Sequence, residues 1–202
     1  MRVCKGSMAG YIASVLFGVL VISSSASATR LSLSAETFRV RFATVEFMGG
    51  VVGANSRCPL TLEGSFHART LSKVAGLLMG YVTRATLGSC QGGLLIVLSE
   101  TLPWHIQYRS FTGSLPFILE LNTYIVGMAL LVRGEIFEAE CLIRSSAAEP
   151  VLGSYMREIT GTNLVTELLR GEISSGCGTS RLTGTATTIT ALSGASIRLT
   201  LI

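Results

Sequence analysis

The segment Leu102-Pro103-Trp104-His105-Ile106-Gln107-Tyr108 holds the chain's single tryptophan, one of its two histidines and a tyrosine. In an extended backbone successive side chains point to opposite faces, so Trp104 and Tyr108 share one face while His105 and Gln107 take the other. An aromatic pair on one face suits two ends. It can form a flat platform for a sugar or another planar ligand, or it can fill a core, where aromatic side chains dominate burial. Core filling is the commoner use. Trp104, His105, Tyr108 and the other histidine, His67, are the candidate binding residues.

Either histidine, paired with a glutamate and a serine, would make a hydrolytic site. The chain lacks G-x-S-x-G and H-E-x-x-H, and Ser72-Lys73 is adjacent rather than spaced as S-x-x-K. Paired carboxylates for glycoside hydrolysis can be drawn from Glu63, Glu100, Glu120 or Glu135, and no spacing selects a pair. All 12 acidic residues are glutamate. The absence of aspartate lowers the expectation of EF-hand loops, which draw on Asp and Asn ligands at fixed offsets, and of aspartate-based mechanisms. Gly49-Gly50 and Gly92-Gly93 lack the spacing of phosphate-binding loops and read as turns. No catalytic residue, metal ligand or cofactor is assigned.

The first 28 residues read as a secretory signal peptide. Arg2 and Lys5 precede an apolar run from Tyr11 to Ile22, and Ala26-Ser27-Ala28 supplies a small-residue cleavage site. A spanning helix needs about 20 apolar residues, and the run stops well short. The expected domain is therefore 29–202, one ordinary domain in size, with no stable membrane span after cleavage. Export gives the cysteines a meaning. Cys58, Cys90, Cys141 and Cys177 form an even set with no C-x-x-C pair, which points to disulfides rather than zinc. Of the three pairings, Cys58 with Cys90 and Cys141 with Cys177 is favoured, because sequential pairing goes with locally adjacent strands. Each bridge is worth roughly 3–4 kcal/mol in the chain-entropy model.

Loss of Arg2 and Lys5 lowers the formal net charge from +4 to +2. The remaining arginines are scattered singly, whereas a surface tracking phosphates clusters them. Nucleic acid is excluded as the expected partner; an unknown small molecule or an envelope component takes its place.

Period-2 patterns dominate the elements that must position these residues. Phe38, Val40 and Phe42 alternate with Arg39, Arg41 and Ala43, and the apolar phase then slips to Val45 and Phe47, as a bulge requires. Leu60 and Leu62 alternate with Thr61 and Glu63. Thr70–Val82 is ambiguous: Leu71, Val74, Leu78 and Tyr81 share a helical face that Gly76 and Gly80 interrupt, so a short helix and an irregular strand pair both fit, and a short helix near 70–78 is expected. Leu94–Leu98 reads as a strand buried on both faces. The apolar stretch from Pro116 to Val132 contains Glu120 and Asn122, each costly in a bilayer, and Gly127 divides it into two strands. Glu135–Ile143 follows as a further strand, while Val151–Ile159 and Leu164–Ile173, each bounded by Gly, carry no pattern that assigns them. A closing hairpin is expected from Thr183–Ala191 and Ser196–Ile202 around Ser193-Gly194. Eight to eleven short strands with abundant glycine predict an all-β domain, a single antiparallel β-barrel or β-sandwich.

Three stretches carry a resemblance. They are Cys58-Pro59-Leu60-Thr61-Leu62-Glu63-Gly64-Ser65-Phe66-His67; the segment Lys73-Val74-Ala75-Gly76 to Gly80-Tyr81-Val82-Thr83-Arg84-Ala85; and Leu102-Pro103-Trp104-His105 with Phe111-Thr112-Gly113-Ser114-Leu115-Pro116. Together they resemble uncharacterised exported proteins of high-GC actinobacteria, over about the middle third of the chain. The resemblance implies no activity, cofactor or site. The expected function is a non-catalytic β domain, secreted or held in the cell envelope, that binds or builds there. A secreted hydrolase using His105 or His67 with a Glu, and an outer-membrane β-barrel, are the alternatives.

Overall fold

In the computed structural model the described residues are 30–49, 55–114, 117–133, 140–157, 164–175 and 178–202. They form fifteen strands. The first seven are β1 (Arg30–Leu33), β2 (Thr37–Gly49), β3 (Ser56–Phe66), β4 (Thr70–Ser72), β5 (Leu78–Leu87), β6 (Gln91–Gly92) and β7 (Leu94–Val97). The next four are β8 (Trp104–Ser114), β9 (Phe117–Val126), β10 (Ala129–Arg133) and β11 (Glu140–Arg144). The last four are β12 (Val151–Arg157), β13 (Leu164–Ser175), β14 (Gly178–Thr190) and β15 (Leu199–Leu201).

Eight of them close a barrel. Strands β2, β3, β5, β8, β9, β12, β13 and β14 each pair antiparallel with the next, and β14 returns to β2. The period-2 pattern explains the wall. β2 buries Phe38, Val40 and Phe42 and sends Arg39 and Arg41 outward. The phase slip expected after Phe42 is a bulge: Ala43 and Thr44 stand opposite the single Pro59, and pairing with β3 resumes at Val45. Opposite residues form one continuous row around the wall, from Arg57 through Glu46, Thr183, Arg170, Leu152, Tyr124 and Gln107 to Leu78. Leu78 lies beyond Gly80, the partner of Phe66 at the end of β3, so the row climbs the length of β3 in one circuit. The strands are correspondingly tilted, as closure of an eight-stranded sheet demands.

Both ends are plugged. A sheet of β15, β1 and β4 lies where β2 begins and β3 finishes, and buries Leu31, Leu33, Leu71, Leu199 and Leu201. A sheet of β11, β10 and β7 lies where β5 finishes and β8 begins, and buries Leu95, Leu130, Val132 and Ile143. The two caps and the barrel interior share one hydrophobic cluster.

Three expectations are corrected. The helix near 70–78 is absent: Leu71 is buried in strand pairing with Leu31, and Gly76, at φ +80°, turns the chain into β5. Pairing with β1 and the turn at Gly76 outweigh the weak helical face, whose Val74 is 60% exposed. β7 is not buried on both faces, because Leu95 turns in while Leu94 stays exposed. The closing hairpin turns at Gly194, but its arms separate: β14 joins the barrel, β15 pairs with β1, and only Thr190 and Ser196 form a bridge.

The Cys58–Cys90 disulfide is formed, with its Cα atoms 4.3 Å apart. Cys141 is also disulfide-bonded. Its expected partner, Cys177, lies outside the described residues, as does Glu135.

Candidate functional site

The structure divides the expected binding residues between two sides of the barrel wall. Trp104 and Tyr108 point inward and are 1% and 5% exposed. The indole Nε1–H of Trp104 donates to Thr101 Oγ1 at 2.9 Å. Desolvation by burial raises the pKa of the Tyr108 phenol above 10.0. Neither aromatic offers a platform. They fill the barrel together with Phe38, Phe42, Ile106, Leu121 and Ile125, as side chains commonly do in a barrel of this size.

His105 and His67 are exposed on the outside. The ring of His105 meets that of Tyr81 on β5 edge-on, with centroids 5.5 Å apart. Further along β8 the Arg109 guanidinium lies 5.4 Å from the ring centre of Tyr124 on β9. His67 follows the end of β3, where its backbone N–H donates to Met79 O. β5 separates β3 from β8, which sets the two histidine backbones roughly 10 Å apart at the usual strand spacing. Among the described residues neither imidazole hydrogen-bonds a Glu or a Ser. The convergence a hydrolytic site needs is not built there.

The outer wall also carries a trough that the sequence did not mark. Its largest part, about 700 Å³, is lined by Thr44, Glu46, Arg57, Ser89, Gln91 and Thr183 among others. An adjoining depression of about 640 Å³ shares Thr183 and adds Leu152, Arg170, Glu172 and Arg181. A third of about 250 Å³ shares Glu46, Arg57 and Gln91. Arg57 Nη2 pairs with Glu46 Oε1 at 2.5 Å, and Arg181 Nη2 with Glu172 Oε1 at 3.0 Å. In sequence these residues were visible only as the outward half of alternating strands. The row that joins them comes from barrel closure.

Searches against protein-family models, curated proteins and solved structures find no match to this chain.

Proposed function

We propose that this protein is an exported, non-catalytic β-barrel domain that binds a component of the cell envelope through its outer wall. The observation that carries this reading is the filled interior. Apolar side chains occupy the barrel from one cap to the other, so contact with a ligand falls to the outside. The basic-apolar-small pattern of the first 28 residues and the Cys58–Cys90 bridge support an oxidising, extracytoplasmic setting. The outer wall carries Arg39, Arg41, Glu63, Arg84 and Arg170, which suits water. An arginine facing lipid costs about 2–4 kcal/mol at the bilayer midplane.

Expression of the full chain in a secreting host tests the reading. The protein is expected in the culture medium without detergent, beginning at Thr29, and lighter than its reduced form by the hydrogens lost to its bridges. It should also co-sediment with purified cell walls. Retention of the full-length chain in the membrane fraction, or failure to sediment with walls, would overturn it.

A further inference from the structure

We propose that the outer-wall trough binds an acidic glycan chain, with Arg170 as the contact for a sugar carboxylate. The inference deepens the envelope-binding reading above and rests on it.

The trough follows one row of opposed residues. Gln91 pairs with Arg57, Arg57 with Glu46, Glu46 with Thr183, Thr183 with Arg170, and Arg170 with Leu152. These residues come from six neighbouring strands, and five strand spacings amount to roughly 24 Å. A path of that length accommodates an extended polymer. The depression has a structural cause. β2 carries an extra residue between Phe42 and Val45, out of step with both β3 and β14, and β14 is bulged between Ala186 and Thr188. Short side chains line the bulged region, with Ala43 and Thr44 facing Thr183 and Thr185 across Gly184.

The chemistry selects the ligand. Five of the six strands beneath the trough belong to the closed barrel and are hydrogen-bonded on both sides. The sixth, β6, pairs with β3 alone, and its two residues are too short an edge to take a peptide by strand addition. Binding falls to side chains: the hydroxyls of Thr44, Ser89, Thr183 and Thr185 and the amide of Gln91. These both donate and accept hydrogen bonds, which matches a hydroxyl-rich sugar chain. The two glutamates of the trough are held by Arg57 and Arg181. Arg170 is exposed, and no ion pair engages it among the described residues. Its planar guanidinium, flanked by Thr183 and Leu152, is suited to grip a carboxylate bidentately. The row continues from Leu152 to Tyr124, over whose ring the Arg109 guanidinium lies.

Affinity electrophoresis of the secreted protein in gels containing polygalacturonate, neutral dextran or poly-L-glutamate tests the proposal. Polygalacturonate should retard the protein and dextran should not. Arg170→Ala should weaken that retardation roughly tenfold or more, the share of one charge-assisted hydrogen bond. Arg198→Ala, an exposed arginine outside the trough, should leave it unchanged. No retardation by polygalacturonate, undiminished retardation of Arg170→Ala, or equal retardation by poly-L-glutamate would each overturn the proposal. Sedimentation with cell walls separates the two readings. If the wild type and Arg170→Ala sediment equally, the glycan site fails while envelope binding stands; if neither sediments, both fail.

Discussion

Trp104 and Thr101 form the first two links of a short hydrogen-bond chain at the mouth of the barrel. The indole N–H donates to Thr101 Oγ1 at 2.9 Å, and that hydroxyl donates to Leu98 O at 2.7 Å. The bond secures the one polar atom of the largest side chain in the core. Replacing Thr101 by valine keeps the shape and leaves the indole N–H without its acceptor, at a cost of about 1–2 kcal/mol. A domain of this size loses about 2–4 °C in Tm per kcal/mol. Trp104 is the only tryptophan, so thermal unfolding followed by its fluorescence reads the site directly. An unchanged midpoint would show that the bond adds nothing.

Gly64 lies at a close approach of β3 to β5. A Cβ there would lie 1.9 Å from Tyr81 O and 2.6 Å from Phe38 Cζ. Backbone cannot move aside as a side-chain tip can, so Gly64→Ala should cost at least the ~1–3 kcal/mol typical of overpacking. Chemical denaturation should show a lowered midpoint or loss of the folded protein. Wild-type stability in this variant would mean that the strands separate at little cost.

The Cys58–Cys90 bridge spans a sequence separation of 32 residues and anchors the β5–β6 connection to β3. Changing both cysteines to serine should remove about 3–4 kcal/mol by the chain-entropy argument. The loss should appear as a lower denaturation midpoint that reductant does not lower further through this bridge. A midpoint equal to that of the oxidised wild type would contradict a stapling role.

Tyr108 links stability to alkaline pH. Its folded-state pKa is raised above 10.0 by burial, so the folded protein holds the phenolic proton after the unfolded chain has released it. The stability associated with the neutral phenol is fully present below pH 10.0 and declines as pH rises from there through the folded-state value. In Tyr108→Phe this part of the alkaline decline should disappear. Denaturant titrations at a series of pH values above neutrality would reveal it, and identical slopes in the two proteins would refute it.

Alternation was the most legible feature of the sequence because it is local. Phe38, Val40 and Phe42 had to share a face whatever they packed against, and the slip to Val45 marked a bulge before any partner strand was known. Segment 70–78 shows the complementary limit. Its residues fit a helical face as well as a strand, and pairing between Leu71 and Leu31, from a distant part of the chain, decided the matter. Trp104 and Tyr108 were rightly placed on a common face, but only closure made that face the interior.

Sequence alone therefore determined the all-β class and the alternating faces of the strands, and it favoured Cys58–Cys90 among three pairings that only the structure decided. The first two rest on side-chain periodicity. Tertiary structure decided that the strands close into a barrel, that two small sheets plug its ends, and that Arg57, Glu46, Thr183 and Arg170 stand in one row. Those outcomes depend on register between strands far apart in sequence, which no local pattern encodes.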